Sequence, residues 1–327
     1  MVTLALRFDL RAPSWGAAPV SLYRSCLEMA AWADGLGFDL IRVSEHHAAE
    51  DGYCPSPFVL ASAIAARTTR ARLRLNALIL PLHDPVRVAE DLAVLDLVSA
   101  GRIEAVVGAG YRLTEFAMFG IDPAGRGAFM EEAVGVLRQA WAGEPFDYRG
   151  RRVTVLPRPV QQPHPPILMG GSSAAAARRA ARLDVEFIPT DGRLHEVYRQ
   201  ERVRLGREAG PPLLPAGPAF VFVAEDPEQA WALLLPHLLH ESNSYAAWSA
   251  DGGTPVPYSP ADDRSIREGG QYRVVTPEEC VTLGRSVGDG TLLLHPLVAG
   301  LDPEVAWTSL ELFATRVLPE LRSALAP

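Results

Sequence analysis

Short apolar runs alternate with longer amphipathic stretches along most of the chain. The runs are rich in β-branched residues, as in buried strands, and the stretches place apolar residues three or four positions apart, as in helices. One pair recurs roughly every 30 to 35 residues, the length of a βαβ unit. The eight predicted strands are Thr3 to Phe8, Phe38 to Val43, Leu73 to Leu80, Ile103 to Val107, Ile167 to Met169, Val185 to Ile188, Ala219 to Val223 and Thr291 to His295.

Each predicted strand is followed by a predicted helix, and the last of these helices runs from Pro303 to Leu325. Eight such units predict a single (β/α)8 TIM barrel with insertions, which is an α/β fold, over residues 1–327. A doubly wound sheet is the competing architecture. The first strand is not followed by G-x-G-x-x-G, which weighs against a doubly wound sheet.

Two segments interrupt the rhythm. Residues 144–165 read as a hairpin followed by a proline-rich connector. Residues 242–275 are rich in Gly, Pro, Asp and Ser and show no clear period, which predicts an inserted loop or lid.

Composition narrows the function classes. The net charge of −8 argues against affinity for nucleic acid or anionic membranes. All 31 basic residues are arginine, which excludes Schiff-base aldolases, pyridoxal-phosphate enzymes and P-loop hydrolases, because each needs a lysine. The 3 cysteines are far apart and suggest neither a disulfide framework nor a zinc site. Without a signal peptide or a membrane-length apolar run, the expectation is a soluble cytoplasmic protein.

The second predicted strand ends in Glu45, His46 and His47. Polar groups at the carboxyl ends of parallel strands are where α/β folds place their chemistry. Successive side chains diverge along a strand, so we expect one working histidine and one structural neighbour, not a metal-binding pair. A histidine at this position can donate or accept a proton near neutral pH, although a satisfied structural histidine is the alternative.

Glycines end two further strands. Gly108 and Gly110 follow the fourth strand and indicate either a tight turn or the close approach of a flat ligand. The run Gly170, Gly171, Ser172 and Ser173 precedes a helix, where it suits a phosphate group or an ordinary N-cap.

Arginines follow the fourth strand and could add a cationic clamp for such a phosphate. The two candidates are Arg112 and Arg126. Between the third strand and the next helix, His83 is a candidate pocket residue and Asp84 a predicted N-cap.

Several of these motifs together resemble the bacterial luciferase-like family of flavin-dependent oxidoreductases. The matching stretches are Ser44 to His47, Leu80 to Asp91 with Asp96 through Arg102, Gly108 and Gly110 followed by Glu115-Phe116 and Phe119-Gly120, and Pro166 to Ser173. The resemblance implies a barrel that binds reduced flavin or deazaflavin at its carboxyl face, often as a homodimer. Members either activate oxygen on reduced FMN or transfer hydride with F420.

The resemblance also implies roles for single residues. His46 would transfer protons, and Glu45 would orient it or face the barrel wall. The phosphate site would fall at Gly170 to Ser173, and Arg126 with Gly127 matches a recurring family position. A cis peptide would fall at Asn76-Ala77. Luciferase carries a cysteine where this chain has Gly108 and an arginine where it has Ala109, so we do not expect light emission.

The favoured hypothesis is a monooxygenase that uses reduced FMN and oxygen on a small organic substrate. A separate flavin reductase would supply the FMN, since no second nucleotide domain is evident. The alternatives are an F420-dependent hydride-transfer enzyme and a non-catalytic flavin-binding paralogue. A metal-dependent barrel hydrolase is the weakest reading, because the adjacent histidines offer no ligand set; no resident metal is expected.

Overall fold

A parallel sheet forms the centre of the molecule in the computed structural model, which describes residues 2–214, 217–252 and 259–323. Its strands run in the order β10-β9-β11-β1-β2-β3-β4-β7-β8, and β5 pairs with β6 in a separate hairpin. The strands are β1 (Thr3–Phe8), β2 (Leu40–Val43), β3 (Arg72–Ile79), β4 (Ile103–Gly108), β5 (Phe146–Tyr148), β6 (Arg151–Val153), β7 (Ile167–Gly171), β8 (Glu186–Pro189), β9 (Phe220–Val223), β10 (Tyr272–Val275) and β11 (Thr291–Leu294). The α/β barrel expected from the sequence is confirmed, and all eight predicted strands are present.

Helices follow the strands and cover the outer face of the sheet. They are α1 (Pro19–Gly35), α2 (Pro57–Ala65), α3 (Pro85–Val98), α4 (Leu113–Met118), α5 (Arg126–Ala142), α6 (Ala174–Leu183), α7 (Gly192–Arg204), α8 (Pro227–Gly252), α9 (Asp263–Glu268), α10 (Pro277–Ser286), α11 (Pro303–Leu312) and α12 (Leu318–Ser323). A π-helical turn, Phe313–Val317, joins the last two. The helix predicted from Pro303 to Leu325 is therefore interrupted, and its last two residues lie outside the described ranges.

The two faces of the sheet carry different side chains. Leu4, Leu6 and Phe8 of β1 belong to the large core that packs against the helices. Ala5 points the other way and forms a separate small cluster with Leu40 and Leu293, its partners on the neighbouring strands. Since strand side chains alternate, this small cluster marks the inner face of the barrel.

The segment 242–275 differs from the expected loop. Helix α8 continues as far as Gly252, and both α9 and β10 lie within the segment. Strand β10 adds a ninth member to the sheet by pairing with β9. Tyr272 and Val274 are buried there, an alternation hidden in the sequence by the surrounding Gly, Pro and Asp.

The peptide bond between Asn76 and Ala77 is cis, which confirms the expectation drawn from the family resemblance. It coincides with a register shift between β3 and β4 at Asn76 and Leu78.

None of the described helices is long and apolar enough to cross a membrane.

Candidate functional site

The residues singled out in the sequence lie at one end of the barrel. Glu45, His46 and His47 directly follow β2, Gly108 ends β4, and Gly170 and Gly171 end β7. These strands belong to one parallel sheet, so their carboxyl ends open to the same side.

His46 is held by a carboxylate that the sequence reasoning missed. Its Nδ1 lies 2.8 Å from Glu115 Oε1, and the same oxygen accepts from the His47 backbone N–H at 2.9 Å. Arg112 Nη1 also donates to this oxygen, at 3.3 Å. Glu115 is fully buried at the start of α4, and three donors on one oxygen identify it as an acceptor. His46 Nδ1 therefore carries the proton, and Nε2 is the nitrogen with the lone pair.

Aromatic rings enclose the other side of the His46 imidazole. The ring centroids of Tyr53 and Trp248 lie 4.9 Å from it, and that of Tyr111 lies 5.5 Å away. The Tyr111 hydroxyl lies 3.4 Å from His46 Nε2. Trp248 and the nearby Tyr245 come from α8, within the segment expected to be a lid. The rings of Tyr53, Tyr111, Tyr245 and Trp248 thus form a largely apolar cage around Nε2, the basic nitrogen of His46.

Two buried guanidinium groups border the same cage. Arg11 lies over Trp248 at 4.5 Å and over Tyr245 at 4.6 Å. Arg112 also lies over the Trp248 ring, at 4.1 Å. Two cations beside an imidazole oppose its protonation.

The pKa of His46 is accordingly lowered from its ordinary value. Burial is the largest cause, and Arg11 and Arg112 act in the same direction. The hydrogen bond to Glu115 and its charge offset part of this shift. Because the shift is downward, His46 is neutral at pH 7 and can accept a proton there.

Glu45 lies in a different network from His46. Its Oε1 is 2.8 Å from His47 Nε2 and 2.7 Å from His83 Nε2. Its Oε2 accepts from the Ile79 backbone N–H at 2.6 Å, where β3 ends. Glu45 therefore ties the loop after β2 to the end of β3, and it makes no hydrogen bond to His46.

We predict that Glu45→Gln destabilises the protein by about 3 kcal/mol at pH 7. Burial alone would raise the pKa of Glu45, but hydrogen bonds from His47, His83 and Ile79 lower it from 4.5 to about 2. A lowered carboxyl pKa stabilises the fold above pH 4.5, and this stabilisation is lost as the pH falls towards 2. The loss of unfolding free energy in Glu45→Gln, measured by urea unfolding, should be smaller at pH 4 than at pH 7. The exposed Glu50→Gln is the control, and a constant deficit would contradict the prediction.

The two arginines of the expected clamp have separate contacts. Arg112 Nη1 donates to the His47 carbonyl at 2.6 Å, so its side chain lies on the His46 side of the site. Arg126 Nη1 donates to the Pro123 carbonyl at 2.9 Å and is half-buried at the start of α5. Arg179, which the sequence did not suggest, lies beside Gly127, and its Nε is 3.3 Å from Glu131 Oε1.

The glycines of the site are closely packed. A Cβ on Gly110, which has φ +72°, would lie 2.8 Å from Ile79 Cγ2. On Gly171 it would lie 2.4 Å from Ala176 Cβ, and on Gly108 or Gly170 it would meet Ala77 or Val106 at 3.2 Å. Internal packing thus gives these positions a reason to be glycine, and a role in cofactor binding stays a prediction.

The turn before α6 combines a cap with open amides. Ser173 Oγ accepts from the Ala176 N–H at 3.2 Å, so this serine is the helix N-cap. Ser172 is half-buried beside it, and Asn76 is half-buried on β3. The remaining first-turn amides of α6 make it the kind of helix end that binds anions.

Two groups of side chains have metal-ligand composition. Glu45, His47 and His83 form one, and their nitrogens already meet the carboxylate at hydrogen-bond distance. Asp9, Glu241 and His295 form the other. There His295 directs Nε2 towards Asp9 at 3.4 Å and Nδ1 towards Glu241 at 3.6 Å. Both nitrogens of this buried imidazole lack a hydrogen-bond partner among the described residues.

A parallel barrel with a buried proton acceptor at its carboxyl end is the architecture of a barrel enzyme. The chain belongs to the luciferase-like monooxygenase family, whose sequence profile matches residues 8–271. It is similar to 4-hydroxyprotoasukamycin monooxygenase of Streptomyces nodosus subsp. asukaensis, with 30% identity over 94% of this chain and 88% of that protein. The family assignment made from the sequence is confirmed.

Another relative is named for its cofactor, F420. An F420-dependent glucose-6-phosphate dehydrogenase of Microbacterium testaceum is 30% identical over 61% of each chain. Among solved structures, the monooxygenase RslO1 of Streptomyces bottropensis superposes with a TM-score of 0.78 at 27% identity, covering 98% of this chain and 99% of that one. The chain spans about half the length of the first curated relatives it matches.

Proposed function

We propose that this protein is a monooxygenase that uses reduced FMN and molecular oxygen to oxygenate a small organic substrate. The observation that carries the proposal is the pairing of His46 with Glu115, which leaves a neutral imidazole nitrogen in an aromatic cage. Reduced FMN, when bound, supplies the two electrons that reduce one oxygen atom to water while the other enters the substrate. The residues then have to bind the flavin, exclude water and move protons.

The residues at the carboxyl end fit such a cofactor. Gly108, Gly110 and Asn76 are partly exposed there, so a flat ring can contact these residues. The first turn of α6, with Gly170, Gly171, Ser172 and Ser173, offers amides and hydroxyls for the phosphate. We assign Arg126 and Arg179 to the phosphate end and Arg112 to the His46 side.

His46 is assigned as the proton-transfer residue and Glu115 as the residue that fixes its tautomer. Glu45 is assigned a positioning role through His47 and His83. The end of α8, which carries Tyr245 and Trp248, is assigned as the gate that covers the cage and excludes water.

Each turnover of this reaction leaves oxidised flavin, so an outside reductant is needed. We therefore assign a separate flavin reductase as a partner.

We also infer a homodimer, since the outer faces of α2 and α3 expose Val59, Val94, Leu97 and Val98, of which Val59 is 71% exposed. Sedimentation at the mass of a single chain would contradict the dimer.

The test is a titration of purified protein with FMNH2 and with F420H2, aerobically and anaerobically. Absorbance should show saturable binding of FMNH2 and an oxygen-dependent return to oxidised FMN. Mass spectrometry of candidate substrates should show the gain of one oxygen atom. The relative that uses F420 favours a second candidate, hydride transfer without oxygen. Tight F420H2 binding with turnover under anaerobic conditions would replace the first proposal with that one.

A further inference from the structure

A row of charged side chains crosses the inner face of the barrel below the site. Arg7 on β1 is the register partner of Arg42 on β2, and Arg42 is the partner of Arg74 on β3. Arg74 in turn pairs in register with Glu104 on β4. Four adjacent strands therefore place three guanidinium groups and one carboxylate at the same level.

The strand alternation sets the direction of this row. Ile41 and Val43, on either side of Arg42, belong to the core beneath the helices. Leu40, two residues before Arg42, belongs to the small inner cluster. Arg42 therefore points into the barrel, where such folds normally place bulky branched residues.

Two of the three arginines have counter-charges. Arg74 donates to Glu104, and Arg72, one layer further from the site, donates to the other oxygen of the same carboxylate. Arg7 Nη1 lies 3.0 Å from Glu241 Oε1, and Arg7 Nη2 donates to the Tyr245 hydroxyl at 2.7 Å.

Arg42 has no such partner among the residues that the structure describes. Its Nε is buried and makes no hydrogen bond, and no carboxylate lies within ion-pair distance of its guanidinium group. Burial, followed by the charges of Arg74 and Arg7, lowers the pKa of Arg42 to about 10, and the charge of Glu104 offsets part of this shift. The group is therefore still a cation at neutral pH, in an environment that disfavours the cation.

Solvent reaches this level of the barrel. The side chain of Arg74 is 20% exposed, and that of Arg72 is 54% exposed. Arg42 is itself only partly buried. A small ligand can therefore approach the row without the barrel opening.

We propose that the inner face of the barrel holds a binding site for a small oxyanion, centred on Arg42 and flanked by Arg7 and Arg74. Charges inside proteins are normally paired, and a guanidinium group presents a planar fork of donors that matches a carboxylate or phosphate. The ligand is either the acidic group of an organic molecule or a free inorganic anion. Arg7 touches the His46 cage through the Tyr245 hydroxyl, but the site is centred on Arg42 and does not depend on the proposed oxygenase activity.

The test uses the purified full chain without flavin. Thermal unfolding is followed in phosphate and in acetate, each against chloride at equal ionic strength. Either oxyanion should raise the Tm of the wild type by on the order of 2–4 °C at saturating concentration. Arg42→Met should abolish the rise in acetate and reduce the rise in phosphate to the part that comes from the phosphate turn before α6. Its Tm in chloride should equal or exceed that of the wild type, because the substitution removes an unpaired and largely buried charge. Arg87→Met, at an exposed surface arginine, should keep the full rise.

The two sources of the ligand give different results. A response to acetate and to larger carboxylates indicates an organic acid, whereas a response to phosphate alone indicates an inorganic anion or a phosphate ester. Calorimetric titration of the wild type measures binding directly, so the test does not require the variant to fold. No saturable binding of either anion, or an equal Tm rise in Arg42→Met and wild type, would overturn the proposal. Because no flavin is present, that result leaves the oxygenase proposal intact.

Discussion

Turnover is expected to fall by about 10²–10⁴-fold when His46 is replaced by alanine, with the affinity for reduced FMN nearly unchanged. The imidazole contributes its Nε2 lone pair to the cage, and no other described side chain offers a neutral base beside Tyr111 there. Stopped-flow absorbance of FMNH2 reoxidation, together with product formation, measures the loss.

The matched control for this substitution is His164→Gln. His164 lies in the connector before β7, and its Nδ1 is 2.8 Å from the carbonyl of its own neighbour, Pro165. The control should retain wild-type rates. Full activity of His46→Ala would contradict the assignment, and flavin binding without any turnover in the wild type would favour a non-catalytic paralogue.

The strands and the place of His46 could be predicted from sequence because each depends on local pattern. Apolar runs separated by amphipathic helices force a parallel sheet, and a parallel sheet brings the residue after β2 to the carboxyl end. The cis bond at Asn76 was different, because only the family resemblance indicated it.

The carboxylate partner of His46 could not be identified in the same way. Glu115 lies on α4, a helix of 6 residues in the loop after β4, and it is 69 positions from His46. Glu45 is the nearer neighbour in sequence, but the chain turns between them and directs Glu45 to His47 and His83. In the sequence, the Glu115-Phe116 motif contributed to the family resemblance but indicated no role for Glu115.

The last part of α8 was missed because its polar residues face inwards. Ser242 begins the expected loop, yet it is buried, and Glu241 beside it is 2% exposed and lies against Arg7. Polar residues at buried helix positions reverse the usual hydrophobic pattern. The same feature brings Trp248 to His46, so the misread segment is also part of the candidate site.

The Glu115→Gln variant is expected to lose about 10–10²-fold in turnover, which corresponds to the 1–3 kcal/mol cost of disrupting a buried hydrogen-bond acceptor. The Glu115 carboxylate accepts from His46 Nδ1, the His47 N–H and Arg112 with the one oxygen Oε1, and the amide oxygen of glutamine can accept from the same three donors only without the negative charge. Hydrogen bonds to a charged acceptor are the stronger ones, so the amide would hold the Nδ1–H tautomer of His46 less firmly than the carboxylate does.

The pH dependence separates this role from a purely structural one. Glu115 raises the pKa of His46 against the larger effect of burial, so its removal should lower that pKa further. Activity requires the neutral imidazole and falls as the pH drops through its pKa, and the acid limb of the profile should therefore move to lower pH in Glu115→Gln. NMR titration of the His46 ring gives the same shift independently. The control is Glu132→Gln, since Glu132 pairs with Arg149 on the exposed surface. A loss of activity with an unmoved acid limb would mean that Glu115 supports the loop and does not set the state of His46.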